Sequence, residues 1–291
     1  MVKVVVVTGA GTGLGRSYAR HLARVGWKVV VNNRRRTDAD GLRLPSSAER
    51  VAEEIRADGG EAIAQDDDVR AEGAGERMLQ LALERWGRLD ALVNNAGVDQ
   101  HAPFHKISLE DFRRIMAINF DGTVAVTQPI FRHMRERGHG RIVVSVSSAG
   151  LHGLHGLSAY AASKAALIAF MRSVAAEGAS RDVFCSAIAP YAATRMTDAH
   201  LSDAWRAAMP VDAVAPVIAE LIAPTSRLNG QTWIVGGGRV RRASSVEWGD
   251  GFVIDDRLSQ RLAEAAHIAR DPLTPHEFVD ALGAHANFMR T

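Results

Sequence analysis

Tyr160 and Lys164 stand four positions apart in the segment Ser-Ala-Tyr-Ala-Ala-Ser-Lys. On a helix, side chains at this spacing project from the same face. A free phenol has a pKa of about 10, and a nearby ammonium ion lowers that pKa because it stabilises the phenolate. The pair therefore suits proton exchange with an alcohol or carbonyl oxygen. A half-buried aromatic residue beside a solvated lysine would show the same spacing.

A glycine-rich turn, Thr-Gly-Ala-Gly-Thr-Gly-Leu-Gly, occupies residues 8–15. It follows an apolar, β-branched segment and opens an amphipathic helix, which is the setting that a dinucleotide-binding turn requires. Glycines let the backbone approach a pyrophosphate, which then lies at the positive end of the helix. We therefore predict a dinucleotide site whose contacts in this turn are Gly9, Thr12, Gly13, Leu14 and Gly15.

Short apolar segments alternate with helix-period segments along the first 240 residues. This alternation predicts an α/β fold of the Rossmann type, a doubly wound parallel sheet with helices on both faces. We expect the glycines at 236–238 to end the sheet. Strands are predicted at 2–8, 27–33, 62–64, 89–93, 142–146, 183–189 and 232–235. Helices are predicted at 14–25, 46–58, 74–86, 108–119, 123–137 and 159–178.

Residues 1–240 are therefore predicted to form a single domain. Residues 241–291 are predicted to be a helical extension that packs on this domain or on a partner subunit. The extension is too short to build a core of its own. Its helices are expected near 259–269 and 275–289.

The composition is that of a globular protein, with 47% hydrophobic and 23% charged residues. The net charge of +2 is too small to indicate nucleic-acid binding. No apolar segment approaches the ~18 residues of a membrane span, and the first residues do not resemble a secretion signal. Cys185 is the single cysteine, so no internal disulfide can form, and a buried, reduced thiol is expected. These features favour a cytoplasmic location.

Further motifs follow in order: Asn-Asn-Ala-Gly at 94–97, then Asn119, Ser147 and the Tyr160–Lys164 pair. With the glycine turn, they resemble the short-chain dehydrogenase/reductase superfamily over residues 2–240. Ser147 lies thirteen positions before Tyr160, a separation common in that superfamily. The resemblance implies seven strands in the order 3-2-1-4-5-6-7. It also implies hydride transfer between a nicotinamide cofactor and a secondary alcohol or ketone.

The resemblance implies four catalytic residues. Tyr160 would exchange the proton with the substrate oxygen, and Lys164 would lower the pKa of Tyr160 and bond the nicotinamide ribose. Ser147 would donate a hydrogen bond to the substrate oxygen. Asn119 would hold a water that links Lys164 to solvent. As alternatives, Asn119 interrupts a helix and bonds nearby backbone, Ser147 is a strand-end hydroxyl, and Ser148 competes for the serine role.

The segment Asn-Arg-Arg-Arg at 33–36 indicates which cofactor, NADP or NAD, the protein binds. An acid at position 33 would bind the ribose 2′-hydroxyl and repel a 2′-phosphate, whereas Asn33 does not repel it and guanidinium groups bind phosphate. We therefore favour NADP, bound through Asn33 and Arg34, and keep NAD as the alternative. Thr12 weakens this preference, because many NADP-using relatives carry a base there. A solvated basic loop would show the same residues.

The resemblance implies further cofactor contacts along the chain. Asp68 and Val69 would flank the adenine, and Thr194 would meet the carboxamide. Tyr191 stands where relatives have glycine, which would narrow the pocket. The remaining cofactor contacts lie after the fourth strand and after the sixth: Asn95, Ala96, Gly97 and Pro190.

Within the superfamily, the chain is most similar to the (3R)-hydroxyacyl-CoA dehydrogenase unit of multifunctional enzyme type 2. This implies a 3-hydroxyacyl or 3-ketoacyl thioester substrate, or a steroid-like alcohol or ketone, and a homodimer or homotetramer. The helices at 112–137 and 158–178 are candidate contact surfaces, and a buried core face is equally consistent with both.

A metal site is not expected, because the histidines lack acidic or cysteine partners in a ligand pattern. These are His101, His105, His152 and His155, of which His152 and His155 are candidates to line the substrate pocket. The alternative function is a catalytically inactive dinucleotide-binding sensor.

Overall fold

Eight strands form one sheet in the order β3-β2-β1-β4-β5-β6-β7-β8. The computed structural model describes residues 2–38, 40–194, 196–197, 201–244 and 260. The first seven strands are parallel and follow the order predicted from the resemblance. The strands are β1 (Lys3–Val7), β2 (Trp27–Asn32), β3 (Ala62–Gln65), β4 (Ala91–Asn94), β5 (Gly140–Ser145), β6 (Val183–Pro190), β7 (Thr232–Gly236) and β8 (Arg239–Ala243).

The prediction that the glycines at 236–238 end the sheet is wrong. Gly237 and Gly238 have φ values of +56° and +75°, which glycine adopts without steric cost. They reverse the chain into β8, which pairs antiparallel with β7. The sheet therefore continues to Ala243, beyond the predicted domain boundary at 240.

Helices cover both faces of the sheet, and those predicted from periodicity lie close to the expected bounds. Three short helices were not predicted: α6 (Ser148–His152), α8 (Asp203–Ala208) and α9 (Ala215–Leu221). None is long enough to show a helical period. The other helices are α1 (Gly13–Arg24), α2 (Ser47–Ala57), α3 (Ala74–Trp86), α4 (Leu109–Met116), α5 (Gly122–Arg137) and α7 (Ser158–Gly178).

Alternate residues of the strands point into two separate cores. Val4 and Val6 of β1 pack in the core beneath α3, α5 and α7. Val5 and Val7 pack in the core beneath α1, α2 and α9. Because both faces are covered, the central strands are apolar along their whole length. Cys185 of β6 is fully buried in the first core, as predicted.

A π-helical turn, Ala117–Asp121, joins α4 to α5 where two separate helices were predicted. Ser108 caps α4, since its Oγ accepts a hydrogen bond of 3.0 Å from the Asp111 N–H. Single π-helical turns inside helices often occur at functional sites. Asn119 lies in this turn and is fully buried.

The predicted helices at 259–269 and 275–289 fall on the part of the chain that the structure leaves undescribed, apart from Gln260. Their packing on this domain or on a partner stays a prediction. Among the described helices, none has both the length and the apolar character that crossing a bilayer requires.

The fold predicts one stabilising substitution. Tyr18 of α1 is fully buried, and within the described part of the chain its hydroxyl has no hydrogen-bond partner. Tyr18→Phe removes this buried polar group, so we expect the free energy of unfolding to rise by about 1 kcal/mol. Urea denaturation followed by circular dichroism measures the change, and a loss of stability would contradict the prediction.

Candidate active site

A cavity of about 170 Å³ lies at the carboxyl ends of β5 and β6. Leu14 from the glycine turn, Ser147, Tyr160 and Thr194 all line it, so four segments that are distant in sequence meet there. In parallel α/β sheets, ligands bind at this edge. The arrangement brings the predicted proton-exchange residues to the same cavity as the predicted dinucleotide turn.

The short helix α6 places Ser147 beside Tyr160. Ser147 caps this helix, since its Oγ accepts a hydrogen bond of 3.2 Å from the Ala149 N–H. A Cβ on Gly150 would lie 2.7 Å from the carbonyl carbon of Lys164, so only glycine lets α6 pack this closely on α7. Ser147 and Tyr160 both line the cavity, and the Ser147 hydroxyl lies close enough to the phenol to lower its pKa.

Lys164 is 4% exposed, although the residue is charged in water at neutral pH. Its Nζ donates a hydrogen bond of 2.8 Å to the carbonyl oxygen of Ser145 and lies 5.6 Å from the ring centroid of Tyr160. Burial lowers the pKa of Lys164 to about 8, because the charged form loses its hydration. The ammonium is therefore held in the interior next to the cavity.

The net shift in the pKa of Tyr160 is upward in this arrangement, so the predicted lowering by Lys164 is not its dominant influence and stays a prediction. Burial raises the pKa of Tyr160 to about 12, and the negative charge of Asp99 acts in the same direction. The Ser147 hydroxyl opposes both effects. The loss of hydration of the phenolate is the largest of these effects on the pKa. The ammonium of Lys164 donates its hydrogen bond to the Ser145 carbonyl.

Asn119 uses its side-chain amide to hold neighbouring segments together. Its Oδ1 accepts from the Val98 N–H at 2.8 Å, and its Nδ2 donates to the Val98 carbonyl and to Ser163 Oγ, both at 2.9 Å. A Cβ on Gly97 would lie 3.3 Å from Asn119 Oδ1 and 3.4 Å from Lys164 Nζ, so Gly97 separates the two side chains. These contacts match the alternative interpretation of Asn119, and the water relay stays a prediction.

The glycine turn has the shape that a bound pyrophosphate needs. Gly9 and Gly13 adopt φ values of +65° and +55°. A Cβ on Gly15 would lie 2.3 Å from the Gly9 carbonyl oxygen. Any residue other than glycine would therefore clash with that oxygen. Thr12 and Gly13 are exposed at the start of α1. The backbone N–H groups of this helix end are thus open to an anion, and the fit to a dinucleotide is good.

Residues after β4 support the turn. Asn95 Nδ2 donates to the carbonyls of Thr8 and Gly9 at 3.1 and 3.3 Å. The N–H groups of Asn95 and Ala96 both donate to Thr8 Oγ1. On the opposite side, a Cβ on Gly13 would lie 4.0 Å from Thr194 Cγ2. The predicted residues of β1, β4 and β6 therefore enclose one cleft.

Ser47 and Arg50 also lie at the predicted ribose-binding end of the cleft. Asn33 Nδ2 donates to Ser47 Oγ at 2.8 Å, and a Cβ on Gly11 would lie 2.4 Å from that oxygen. Arg50 Nη2 donates to the Gly11 carbonyl at 3.1 Å. Both residues lie on α2, where no sequence motif marked them, and the fold brings them against the turn.

Arg34 and Asp68, predicted for opposite ends of the adenosine, are neighbours. Arg34 Nη1 lies 3.4 Å from Asp68 Oδ2, and the Arg34 side chain is half exposed. A hydrogen bond from Arg70 holds the pKa of the partly buried Asp68 below its usual range. Val69 instead points into the core, 2.6 Å from where a Cβ on Gly122 would lie.

Arg35 does not share the position of Arg34. Its Nε donates to the Leu44 carbonyl at 3.0 Å, and its Nη1 lies 3.5 Å from Asp66 Oδ2. Arg34 pairs instead with Asp68.

The cavity holds further polar side chains. Asp99, His101 and His155 line it, whereas His105 and His152 are not among its lining residues. Within the described residues, no three histidine, cysteine or acidic side chains are grouped as a metal site requires. Asp99 was not singled out from the sequence, where a lone acid after a strand carries no distinguishing pattern.

The buried lysine predicts a pH-dependent stability. Burial lowers the pKa of Lys164 from 10.5 to about 8, so between these pH values the unfolded chain binds more protons than the folded chain. The free energy of unfolding therefore rises with pH in this window relative to a Lys164→Met variant, which lacks the titration. Paired denaturation curves at pH 7, 9 and 10 measure the difference. A difference that stays constant with pH would contradict the assignment.

The model of the short chain dehydrogenase family matches residues 3–205. A short-chain type dehydrogenase/reductase of Mycobacterium tuberculosis is 38% identical over 243 residues, covering 83% of this chain and 85% of the relative. Peroxisomal multifunctional enzyme type 2 of Mus musculus is 38% identical over 237 residues. That match covers 81% of this chain but 32% of the mouse enzyme, so this chain resembles one part of a longer protein.

A solved structure supports the same relationship. The gluconate 5-dehydrogenase of Burkholderia cenocepacia, in complex with NADP and tartrate, superposes with a TM-score of 0.72 at 29% identity. The alignment covers 81% of this chain and 94% of the other. With a family match over more than half of its length, this chain belongs to the short-chain dehydrogenase family, the NAD(P)-dependent oxidoreductases that act on CH–OH groups.

Proposed function

We propose that this protein interconverts a secondary alcohol and a ketone with NADP(H), using Tyr160 and Ser147 to bind the reacting oxygen. The observation that carries the proposal is the single cavity lined by Tyr160, Ser147 and the glycine-turn residue Leu14. A substrate in this cavity would lie next to the predicted nicotinamide position. The NADP-bound gluconate 5-dehydrogenase supports a nicotinamide cofactor.

The side chains have complementary roles in the reductive direction. A bound nicotinamide supplies the hydride, and the protein supplies orientation and electrostatics. Tyr160, whose pKa is raised to about 12, stays protonated at neutral pH and can donate its proton to the developing alkoxide. Ser147 donates a hydrogen bond to the same oxygen.

Lys164 would bind the cofactor ribose while keeping Tyr160 in place. An ammonium group has three donors, and the Ser145 carbonyl accepts one of them. The remaining donors would be the ones that bind the ribose hydroxyls of a bound cofactor. In the oxidative direction, the positive charge of Lys164 would favour the phenolate that must accept the proton.

The residues at the ribose-binding end of the cleft favour NADP over NAD. Asn33 carries no charge that would repel a 2′-phosphate. Arg34 follows it directly in the sequence, and Arg50 of α2 donates a hydrogen bond to the Gly11 carbonyl of the glycine turn. The hydroxyl of Ser47, 2.8 Å from Asn33 Nδ2, adds a hydrogen-bonding group for a phosphate oxygen. Guanidinium groups are well suited to such phosphates.

The substrate class follows from the cavity walls and the family resemblance. Leu154, Leu157, Leu201 and Met209 make much of the wall apolar, as an acyl chain or a steroid-like ring system requires. The similarity to multifunctional enzyme type 2 favours a 3-hydroxyacyl or 3-ketoacyl thioester. A steroid-like alcohol or ketone is the other candidate.

The second candidate function is a sensor that binds the dinucleotide without turnover. The presence of both Ser147 and Tyr160 in the cavity argues against it, because a sensor needs only the cofactor cleft.

We also propose a homodimer or homotetramer in a cytoplasmic location. The outer face of α7 carries small side chains in place of the charges typical of a solvated helix, and such a face allows close helix packing. Its exposed positions include Ala162, Ala165, Ala169, Ser173 and Ala176. The buried thiol of Cys185 is compatible with a reducing compartment.

The first test of the function is Tyr160→Phe. We expect turnover of a ketone panel with NADPH, followed by absorbance of the nicotinamide, to fall about 10²–10⁴-fold because the proton donor is lost. Cofactor binding, measured by calorimetry, should remain. Tyr18→Phe serves as the matched control, since it removes a phenol hydroxyl that does not line the cavity. A wild-type protein that binds NADPH but turns over no ketone would favour the sensor.

The second test is Asn33→Asp, which adds one negative charge without changing size. We expect the ratio of kcat/KM with NADPH to that with NADH to fall about 10- to 100-fold, since the acid repels the 2′-phosphate and bonds the 2′-hydroxyl. Gln80→Glu makes the same amide-to-acid change on the exposed face of α3 and should leave the ratio unaltered. An unchanged ratio in Asn33→Asp would exclude this residue as a determinant of cofactor preference.

A further inference from the structure

Ser163 lies in α7 between Tyr160 and Lys164, and it is fully buried. Its hydroxyl has two partners. The oxygen accepts a hydrogen bond of 2.9 Å from Asn119 Nδ2, and the proton is donated to the Tyr160 carbonyl at 2.7 Å. The Ser163 side chain therefore connects the π-helical turn to the turn of α7 that carries Tyr160 and Lys164.

The direction of these hydrogen bonds is fixed by a backbone carbonyl. A carbonyl only accepts, so the Ser163 hydroxyl gives its single proton to Tyr160, and its oxygen is left as an acceptor. Asn119 therefore presents its NH₂ group to Ser163 and its Oδ1 elsewhere. The Val98 backbone agrees with this orientation, since its N–H donates to Oδ1 at 2.8 Å and its carbonyl accepts from Nδ2 at 2.9 Å. Both N–H groups of the amide are thus used.

The amide oxygen of Asn119 lies on the side of the lysine. A Cβ on Gly97 would be 3.3 Å from Asn119 Oδ1 and 3.4 Å from Lys164 Nζ, so both atoms approach the same point. The negative end of an amide dipole near an ammonium favours the charged lysine, whereas an NH₂ group there would oppose it. The orientation that Ser163 accepts is therefore the one that suits Lys164.

A second series of buried hydrogen bonds anchors Asn119 to the sheet. Thr123 Oγ1 donates to the Asn119 carbonyl at 2.7 Å, and Thr127 Oγ1 donates to the Thr123 carbonyl at 2.6 Å. Asn94 Nδ2, at the end of β4, donates to Thr127 Oγ1 at 2.8 Å. The series runs from β4 to the π-helical turn, and Ser163 continues it to α7.

We propose that Ser163 is a positioning residue, which holds the turn of α7 that carries Tyr160 and Lys164 in register with the Asn119 amide. Ser163 does not line the cavity, so it acts through its neighbours. Without its hydroxyl, one N–H of the fully buried Asn119 would lose its acceptor, which is costly unless α7 or the π-helical turn shifts. The inference goes beyond the proposed function but rests on it for the role of Tyr160.

The kinetic test compares Ser163→Ala with the wild type, using ethyl 3-oxobutanoate as the ketone and NADPH as the cofactor. We expect kcat to fall about 3- to 10-fold, which is what the loss of one such hydrogen bond gives. The KM for NADPH should stay within about twofold, because Ser163 bonds Asn119 and Tyr160 and not the glycine turn. An unchanged kcat in Ser163→Ala would overturn the proposal.

A double-mutant cycle tests whether Ser163 acts through Asn119. The double variant Ser163→Ala, Asn119→Ala should have about the kcat of Asn119→Ala alone, since the shared hydrogen bond is lost once. Fully additive losses would contradict the link. Ser173→Ala is the matched control, because Ser173 is an exposed residue of α7 whose hydroxyl donates to the Ala169 carbonyl at 3.3 Å. It should keep the wild-type kcat.

Titration of Lys164 tests the proposal without a substrate. The chain has four lysines, so NMR of isotope-labelled lysine resolves them, and Lys164→Met identifies the signal of Lys164. Burial lowers the pKa of Lys164 to about 8, and in Ser163→Ala we expect it to rise towards 10.5 as the turn loosens and the ammonium regains hydration.

The outcomes of the titration separate this proposal from the proposed function. An unchanged pKa of Lys164 in a folded Ser163→Ala would overturn the positioning role. If Ser163→Ala does not fold, Ser163→Cys carries the test, because a thiol of similar size forms only weak hydrogen bonds. A wild-type protein that reduces no ketone would contradict the proposed function, and the titration would still decide the role of Ser163.

Discussion

The burial of one ammonium group organises this active site. Lys164 is almost fully removed from water and is held 2.8 Å from the Ser145 carbonyl at the end of β5. That contact joins α7 to the sheet at the edge where the cavity opens. Gly97 separates the ammonium from Asn119, and Gly150 lets α6 pack against the backbone of Lys164. A larger residue at either glycine would crowd the lysine, so the position of this one charge depends on three separate segments.

Two tyrosines, Tyr160 and Tyr191, and two consecutive serines, Ser147 and Ser148, line the cavity. Tyr160 comes from α7 and Tyr191 follows β6, so the two phenols enter the cavity from different elements. A phenol is already neutral at physiological pH, and burial raises the pKa of both further. The cavity is therefore an apolar space with a few directed donors, which is the arrangement that orients a carbonyl substrate.

Much of the fold could be predicted from the sequence because its signals are local. Alternating apolar strands and helical periods predicted seven strands and their covering helices, and the glycine turn lies where predicted between β1 and α1. The errors have local causes as well. Gly237 and Gly238 were interpreted as the end of the sheet, although glycines with positive φ equally form the turn of a hairpin. The helices α6, α8 and α9 are too short to show a period.

The sequence by itself determined most of the elements and the identity of the chemical groups, since residue type and spacing set the longer helices, the parallel strands and the glycine turn. Tertiary structure decided how those groups behave. It reversed the expected shift in the pKa of Tyr160, because desolvation depends on all the atoms packed around the phenol. It brought Ser47 and Arg50 of α2 against the glycine turn, and Tyr191 and Ser148 into one cavity, across separations that no local pattern records. Contacts between distant segments arise only when the sheet assembles, and that is where the site acquires its electrostatics and its shape.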